Sequence, residues 1–199
     1  MSGIALKIDI RDGATPAINT IVNSMTGPGR QLMHERIANE ERILITNYIN
    51  EVVAQRHDTA ERLGASPSGF WEGFGNNVIT SADESRATIS LNHPGIGRAG
   101  HDVTITPGPG KKFLTIPVIA EAYNQRAYRV PGLVAITNGD KGVLIMPEKG
   151  SKFGTVWYLL VASVTQRQDR TLLPDDDELL GAARLAIANH FTELLKEAA

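Results

Sequence analysis

Gly95-Ile96-Gly97-Arg98-Ala99-Gly100 reproduces the G-x-G-x-x-G spacing with which a strand-to-helix turn wraps a dinucleotide pyrophosphate, and Glu121 lies far enough downstream to meet a ribose. That chemistry needs a helix to begin inside the motif, so that free amides and the helix dipole face the phosphates. Here Gly100 runs into the strand-like alternation His101-Asp102-Val103-Thr104-Ile105-Thr106 and then Pro107, so nucleotide binding by the 95–100 glycines stays a remote alternative. Gly108-Pro109-Gly110-Lys111-Lys112 has the look of a phosphate loop but lacks the upstream glycine and the Ser or Thr after the lysine. The histidines His34, His57, His93, His101 and His190 show neither HxxxH nor HxH spacing, so no metal set is read from them. Asp175, Asp176, Asp177 and Glu178 have the oxygens for a hard cation, but the start of a helix accounts for them. There is no Gly-x-Ser-x-Gly and no cysteine, and Ser163 sits inside an apolar run, where it reads as a packed small residue. The expectation is a protein with no catalytic, cofactor-binding or metal-binding residues.

What remains is the chemistry of surfaces. Arg98, Lys111, Lys112, Arg126 and Arg129 gather positive charge around residues 94–112, where eight of nineteen residues are Gly or Pro, and His101 joins them as an interface candidate. Tyr123 and Tyr128, on a polar stretch, read as interface aromatics, whereas Trp71, Trp157 and Tyr158 read as core. From Asp175 onward six acids oppose two bases, net −4, which leaves +2 in the rest of a chain whose formal charge is −2. Opposite-sign surfaces of this kind can meet between copies.

The elements that position these residues follow from periodicity. Ile4 to Ile10 alternates as a strand, and Asp12-Gly13 leads to Thr15-Pro16, a helix start, with Ile18, Ile21, Val22 and Met25 on one face. After an interruption at Gly27-Pro28-Gly29, a long helix is expected from Arg30 to His57, striped by Met33, Ile37, Leu44, Tyr48 and Val52, with Arg36 and Glu40 paired on its outside. His57 to Ser68 reads as a connection, Phe70, Phe74 and Val78 as a short helix, and Ala87 to Leu91 as a strand. Residues 94–112 read as a flexible arm whose removal leaves the fold intact. Phe113 to Val118 is a strand, Glu121 to Ala127 at most two helical turns, and Asn138-Gly139 closes a hairpin of Leu133–Ile136 with Val143–Met146. Thr155 to Thr165 reads as one long central strand buried on both faces, and Leu180, Ala183, Ile187, Phe191 and Leu194 stripe a terminal helix. The fold class is therefore α+β, an antiparallel β-meander packed against a long N-terminal helix and a C-terminal helix, in a single domain over 1–199.

Composition agrees, with 42% hydrophobic and 21% charged residues in 199, enough for one ordinary core. Absence of cysteine fits a reducing compartment, the run Trp157–Ala162 is too short to cross a bilayer, and Met1–Ile10 lacks the pattern of a signal peptide.

Three stretches taken together point further: His93 to Val118 (HPGIGRAGHDVTITPGPGKKFLTIPV) with Glu121 to Ala127 behind it, Arg62 to Glu72 (RLGASPSGFWE), and Trp157 to Leu180 (WYLLVASVTQRQDRTLLPDDDELL). In this order they resemble the Mu-like phage virion morphogenesis proteins, over roughly Arg30 to the C-terminus. Family loops after His-Pro-Gly are usually more basic, with paired glycines where this chain has Gly100-His101-Asp102. The resemblance implies a non-enzymatic structural protein of the virion neck or tail top, acting in head-tail joining or tail completion as a ring of identical copies. It also implies synthesis in the host cytoplasm and neighbours among connector or tail-tube proteins, with DNA passing near a ring lumen and no membrane partner. A transient head-side capsid assembly factor is the alternative that shares the resemblance.

Overall fold

The computed structural model describes residues 14–56, 58–150 and 154–197, so the Ile4–Ile10 alternation, the Asp12-Gly13 turn and His57 lie outside the described residues. The fold is α+β, with long helices near both ends and antiparallel pairing between all the described strands. By contacts the chain divides into two compact units that interleave in sequence. The first comprises the chain up to Ile45, Val78–Leu91 and the part from Pro174; the second comprises Thr46–Asn77 and Asn92–Leu173.

The first unit is mostly helical. Helix α1 (Ala14–Ser24) carries Thr15-Pro16 in its first turn, and α2 (Gly27–Tyr48) starts at the Gly-Pro-Gly, three residues before the expected Arg30. A proline in the opening turn costs a helix nothing, because its missing N–H has no partner there anyway. The buried positions of α2 and its continuation are Ala38, Ile45, Ile49 and Val53, one residue round from the expected Leu44, Tyr48 and Val52, and Val52 is exposed. Both runs are apolar at a spacing of four, so periodicity alone does not choose between them. Arg36 pairs with Glu193 of α5 (Asp176–Glu197) and not with Glu40. On α5 the buried residues are Ala186 and His190, again one step from the expected Ile187 and Phe191.

Strands β1 (Val78–Ala82) and β2 (Ala87–Leu91) form a hairpin in register Val78↔Leu91 to Ala82↔Ala87. The β-branched Val78-Ile79-Thr80 opens a strand, and the expected helix from Phe70 through Val78 is instead a turn and a 3-10 segment, Phe74–Asn77. Asp83 organises the hairpin loop by accepting from the Ser85 amide (2.7 Å) and the Arg86 amide (3.0 Å), and His34 of α2 donates through Nδ1 to the Asp83 carbonyl at 2.7 Å.

The second unit is built on sheets. Helix α2 continues as a π-turn, Ile49–Val53, and α3 (Asp58–Leu63) follows where a plain connection was expected. After the β1–β2 hairpin the chain returns to this unit with α4 (Pro94–Ala99) and β3 (Val103–Ile105). A four-stranded sheet runs in the order β4 (Leu114–Pro117), β7 (Thr155–Val161), β6 (Lys141–Met146), β5 (Val134–Asn138). The β5–β6 hairpin closes as expected, with Asn138↔Lys141 flanking Gly139 at φ 62°. The expected long strand is broken at Ala162-Ser163; beyond the break β8 (Val164–Gln166) leaves the sheet to pair with β3. Nor is β7 buried on both faces. Tyr158 and Leu160 are buried, but Leu159 on the other face is 41% exposed, in line with Ile116, Val143 and the half-exposed Ile136. The Tyr158 hydroxyl is shared between the carbonyls of Ala122 (3.2 Å) and Gln125 (3.3 Å), which pins the 3-10 turn Ala120–Ala122 to the sheet.

Candidate functional site

The glycine motif lies in the second unit against a cluster of rings. Trp71 stacks on His93 with centroids 4.7 Å apart and planes at 27°, Phe70 meets Trp71 edge-on at 5.2 Å, and the fully buried Phe74 meets His93 edge-on at 5.7 Å. His93 caps α4, its Nδ1 accepting from the Gly95 amide at 3.1 Å. A Cβ on Gly95 would stand 2.3 Å from the indole Cη2 of Trp71, so glycine is required because the helix backbone lies directly on the ring. The sequence expectation of no helix here is corrected. Six residues do form one, but the motif is its body and end: the Gly100 amide closes it on the Ile96 carbonyl at 2.8 Å, and its start is taken by an imidazole and an indole. A dinucleotide turn runs the other way round.

Most of residues 94–112 is likewise tied down. The Asp169 amide donates to the Ala99 carbonyl at 2.8 Å, Gln168 Nε2 to the Gly100 carbonyl at 3.0 Å, and the Gln168 amide to Asp102 Oδ1 at 2.7 Å. With Gly95 and Ala99 buried and β3 paired, deleting 95–110 removes packing as well as a loop, contrary to the expectation that the fold would survive it. The irregular remainder is the Gly-Pro turn before β4, where the Lys111 amide donates to the Gly108 carbonyl at 3.0 Å and Gly110 has φ +75°.

That turn belongs to a cationic surface. Tyr128 is 69% exposed; Arg126 Nη1 donates to its hydroxyl at 3.4 Å and the Arg129 guanidinium lies 5.8 Å from its ring centre. The Arg126 and Arg129 hydrogen bonds, helped by the charges of Arg126 and Lys111, hold the phenol below its usual range. The structure thus brings Lys111, Arg126, Arg129 and Tyr128 together. Lys112 extends beside them with its ammonium 5.2 Å from the Phe113 ring centre. Arg98 and His101 are exposed at the end of α4 and just after it, and Tyr123 is half-buried.

Asp175, Asp176, Asp177 and Glu178 open α5 in the first unit. Asp175 and Glu178 form a reciprocal capping box, Asp175 Oδ1 accepting from the Glu178 amide (2.8 Å) and Glu178 Oε2 from the Asp175 amide (3.0 Å). Asp176 and Asp177 are exposed and add negative charge where the helix dipole tolerates it.

A further feature of the second unit was missed in the sequence. A cavity of about 540 Å³ has Arg56, Asp58, Phe70, Trp71, Glu72 and Tyr123 among its lining residues. Arg56 is spoken for: its Nη1 reaches Asp169 Oδ2 at 3.1 Å and Thr171 Oγ1 at 2.9 Å, and its Nη2 reaches the Thr171 carbonyl at 2.7 Å. Burial pushes the Asp169 carboxyl up, but the Thr171 hydroxyl and amide and the Arg56 charge outweigh it and hold it below the usual range. Asp58 and Glu72 have no ion pair among the described residues, which leaves the cavity anionic. The one hint in the sequence was the Phe70-Trp71-Glu72 run, an acid adjoining two large aromatics.

Among the described residues no group of three His, Cys, Asp or Glu converges as a metal site, and no helix is long and apolar enough to cross a membrane. No family model, no curated protein and no solved structure matches the chain.

Proposed function

We propose that this chain is a structural virion protein of a tailed phage, acting at the neck or the top of the tail in head-tail joining or tail completion, as a ring of identical copies. The phage assignment is supported by the resemblance of Arg62–Glu72, His93–Ala127 and Trp157–Leu180 to the Mu-like virion morphogenesis proteins. The observation that carries self-association is the presence of two unlike, oppositely charged surfaces on one subunit. One is the cationic surface of Lys111, Arg126 and Arg129 around exposed Tyr128; the other is the anionic start of α5 with Asp176 and Asp177. A closed cyclic ring is held by heterologous contacts, so each copy must offer two complementary patches. Charge of opposite sign orients such contacts and disfavours the pairing of like patches. Connector or tail-tube proteins would then meet the two open faces of the ring.

Sedimentation across a concentration series, followed by negative-stain imaging of any large species, tests this. Rings with a central hole that dissolve at high salt are the expected result, because exposed charge contacts are screened within about 10 Å at 0.1 M salt. Compact dimers with no larger species would overturn it.

A further inference from the structure

The cavity between α3 and the Phe70-Trp71-Glu72 turn has the composition of a seat for a cationic side chain. One face of the Trp71 indole is taken by His93, and Gly95 lies against the ring; the cavity lining adds half-exposed Phe70 and the acids Asp58 and Glu72, which have no ion pair among the described residues. Among the described lining residues the one cation, Arg56, is already paired with Asp169. An alkyl-ammonium entering such a site gains both the aromatic face and two anions, while a carboxylate or phosphate is repelled. Its volume, about 540 Å³, falls in the range of sites that enclose a ligand group.

The same unit presents a matching group outside that lining. Lys111 and Lys112 stand exposed on a Gly-Pro turn, and no ion pair among the described residues engages either. We propose that this cavity is the seat for the Lys111-Lys112 turn of a second copy, the lysine stem lying on Trp71 and its ammonium between Glu72 and Asp58. This deepens the ring reading and rests on it for the identity of the occupant. It also ranks the acidic surfaces. At the start of α5 the Asp175 and Glu178 carboxylates already serve each other's amides, whereas those of the cavity are uncommitted and adjoin an aromatic wall.

The test uses the full chain and a capped synthetic peptide of residues 106–114, TPGPGKKFL. The indole N–H of Trp71 is followed by NMR, identified by its loss in Trp71→Phe, with Trp157 as internal control. A saturable shift of Trp71 and none of Trp157 is expected, weakened about tenfold in Asp58→Asn/Glu72→Gln and lost when both peptide lysines become glutamine. Circular dichroism melts check that the double variant stays folded. No shift at millimolar peptide, or an equal shift with the glutamine peptide, overturns the proposal. Rings that still form from Asp58→Asn/Glu72→Gln but fail in Asp176→Asn/Asp177→Asn would overturn it and leave the ring standing. Peptide binding at Trp71 by a chain that forms only reciprocal dimers would keep the seat and dismiss the ring.

Discussion

The two units close around different kinds of side chain. The second buries Ile49, Phe74 and Tyr158 almost completely and adds a stacked indole, an imidazole cap and a tyrosine hydroxyl shared by two carbonyls. The first buries Ile45 and Val78 together with the small Ala38, Ala186 and Ser24 and the imidazole of His190, while Ile18, Val22, Met25, Ile79 and Leu185 stay about half exposed or more. Full burial of a large apolar side chain is worth about 1.5–3 kcal/mol, and an alanine contributes a fraction of that. The second unit therefore holds the largest fully buried side chains, and among the described residues the first leaves more apolar surface open on its helices. Ile18 and Val22 lie one turn apart on α1, a helix of 11 residues that alone is too short to be stable in water, and Met25 follows just past its end. In the proposed ring, such a subunit would bring one unit that is firm beforehand and one that firms up on assembly.

The contrast can be broken at its strongest point first. Phe74→Ala should destabilise the chain by about 3–5 kcal/mol in a denaturant titration, the cost of a cavity in a ring cluster. Gly95→Ala is next, about 1–3 kcal/mol, since the added methyl group can be accommodated only by moving Trp71 or lifting α4 off it. It should also shift the indole signal of Trp71, which a purely helical effect would leave alone. Asp175→Ala removes one half of the α5 capping box and should cost about 1 kcal/mol, read as a lower midpoint at an unchanged slope.

The smallest effect concerns His190, whose ring nitrogens have no hydrogen-bond partner among the described residues. Burial holds this imidazole below 6.5, the Arg36 charge pushes the same way, and Glu193 opposes them. As pH falls, the unfolded chain takes up the proton first, so this contribution to stability is complete above about 6.5 and is lost as pH drops through the folded value. Thermal melts at pH 7.5 and just below 6 should show the decline in the parent chain and a flatter dependence in His190→Leu. An unchanged pH dependence in that variant would mean that the decline arises from groups other than His190.

Where one local rule decided the structure, the sequence was enough. Asn138-Gly139 fixed the β5–β6 turn, the alternation at Ala87–Leu91 fixed a strand, and Asp175 with Glu178 announced a capped helix. Where two readings satisfied the same rule, tertiary contacts chose. Leu44-Tyr48-Val52 and Ile45-Ile49-Val53 are equally periodic, and only packing selects the second. Three glycines make Pro94–Gly100 a poor helix by propensity, and it forms because His93 caps it and Trp71 lies against Gly95. The break at Ala162-Ser163 has no glycine or proline to mark it, and the partner of β8 lies far back at β3. Of the candidate surface, the clustering of Lys111, Arg126 and Tyr128 was legible as local charge. The cavity was not, because Asp58 and Glu72 are brought to one opening by α3 and the turn after it.

Hydrogen exchange at low and high protein concentration is the decisive measurement, since it reads both units in one sample. Amides of α1 should exchange fast in the dilute monomer and slow sharply once copies associate, while amides of β7 and the Phe74 segment are protected at both concentrations. Equal exchange of α1 at every concentration, with no change in sedimentation, would contradict a subunit that arrives half firm and is completed by its neighbours.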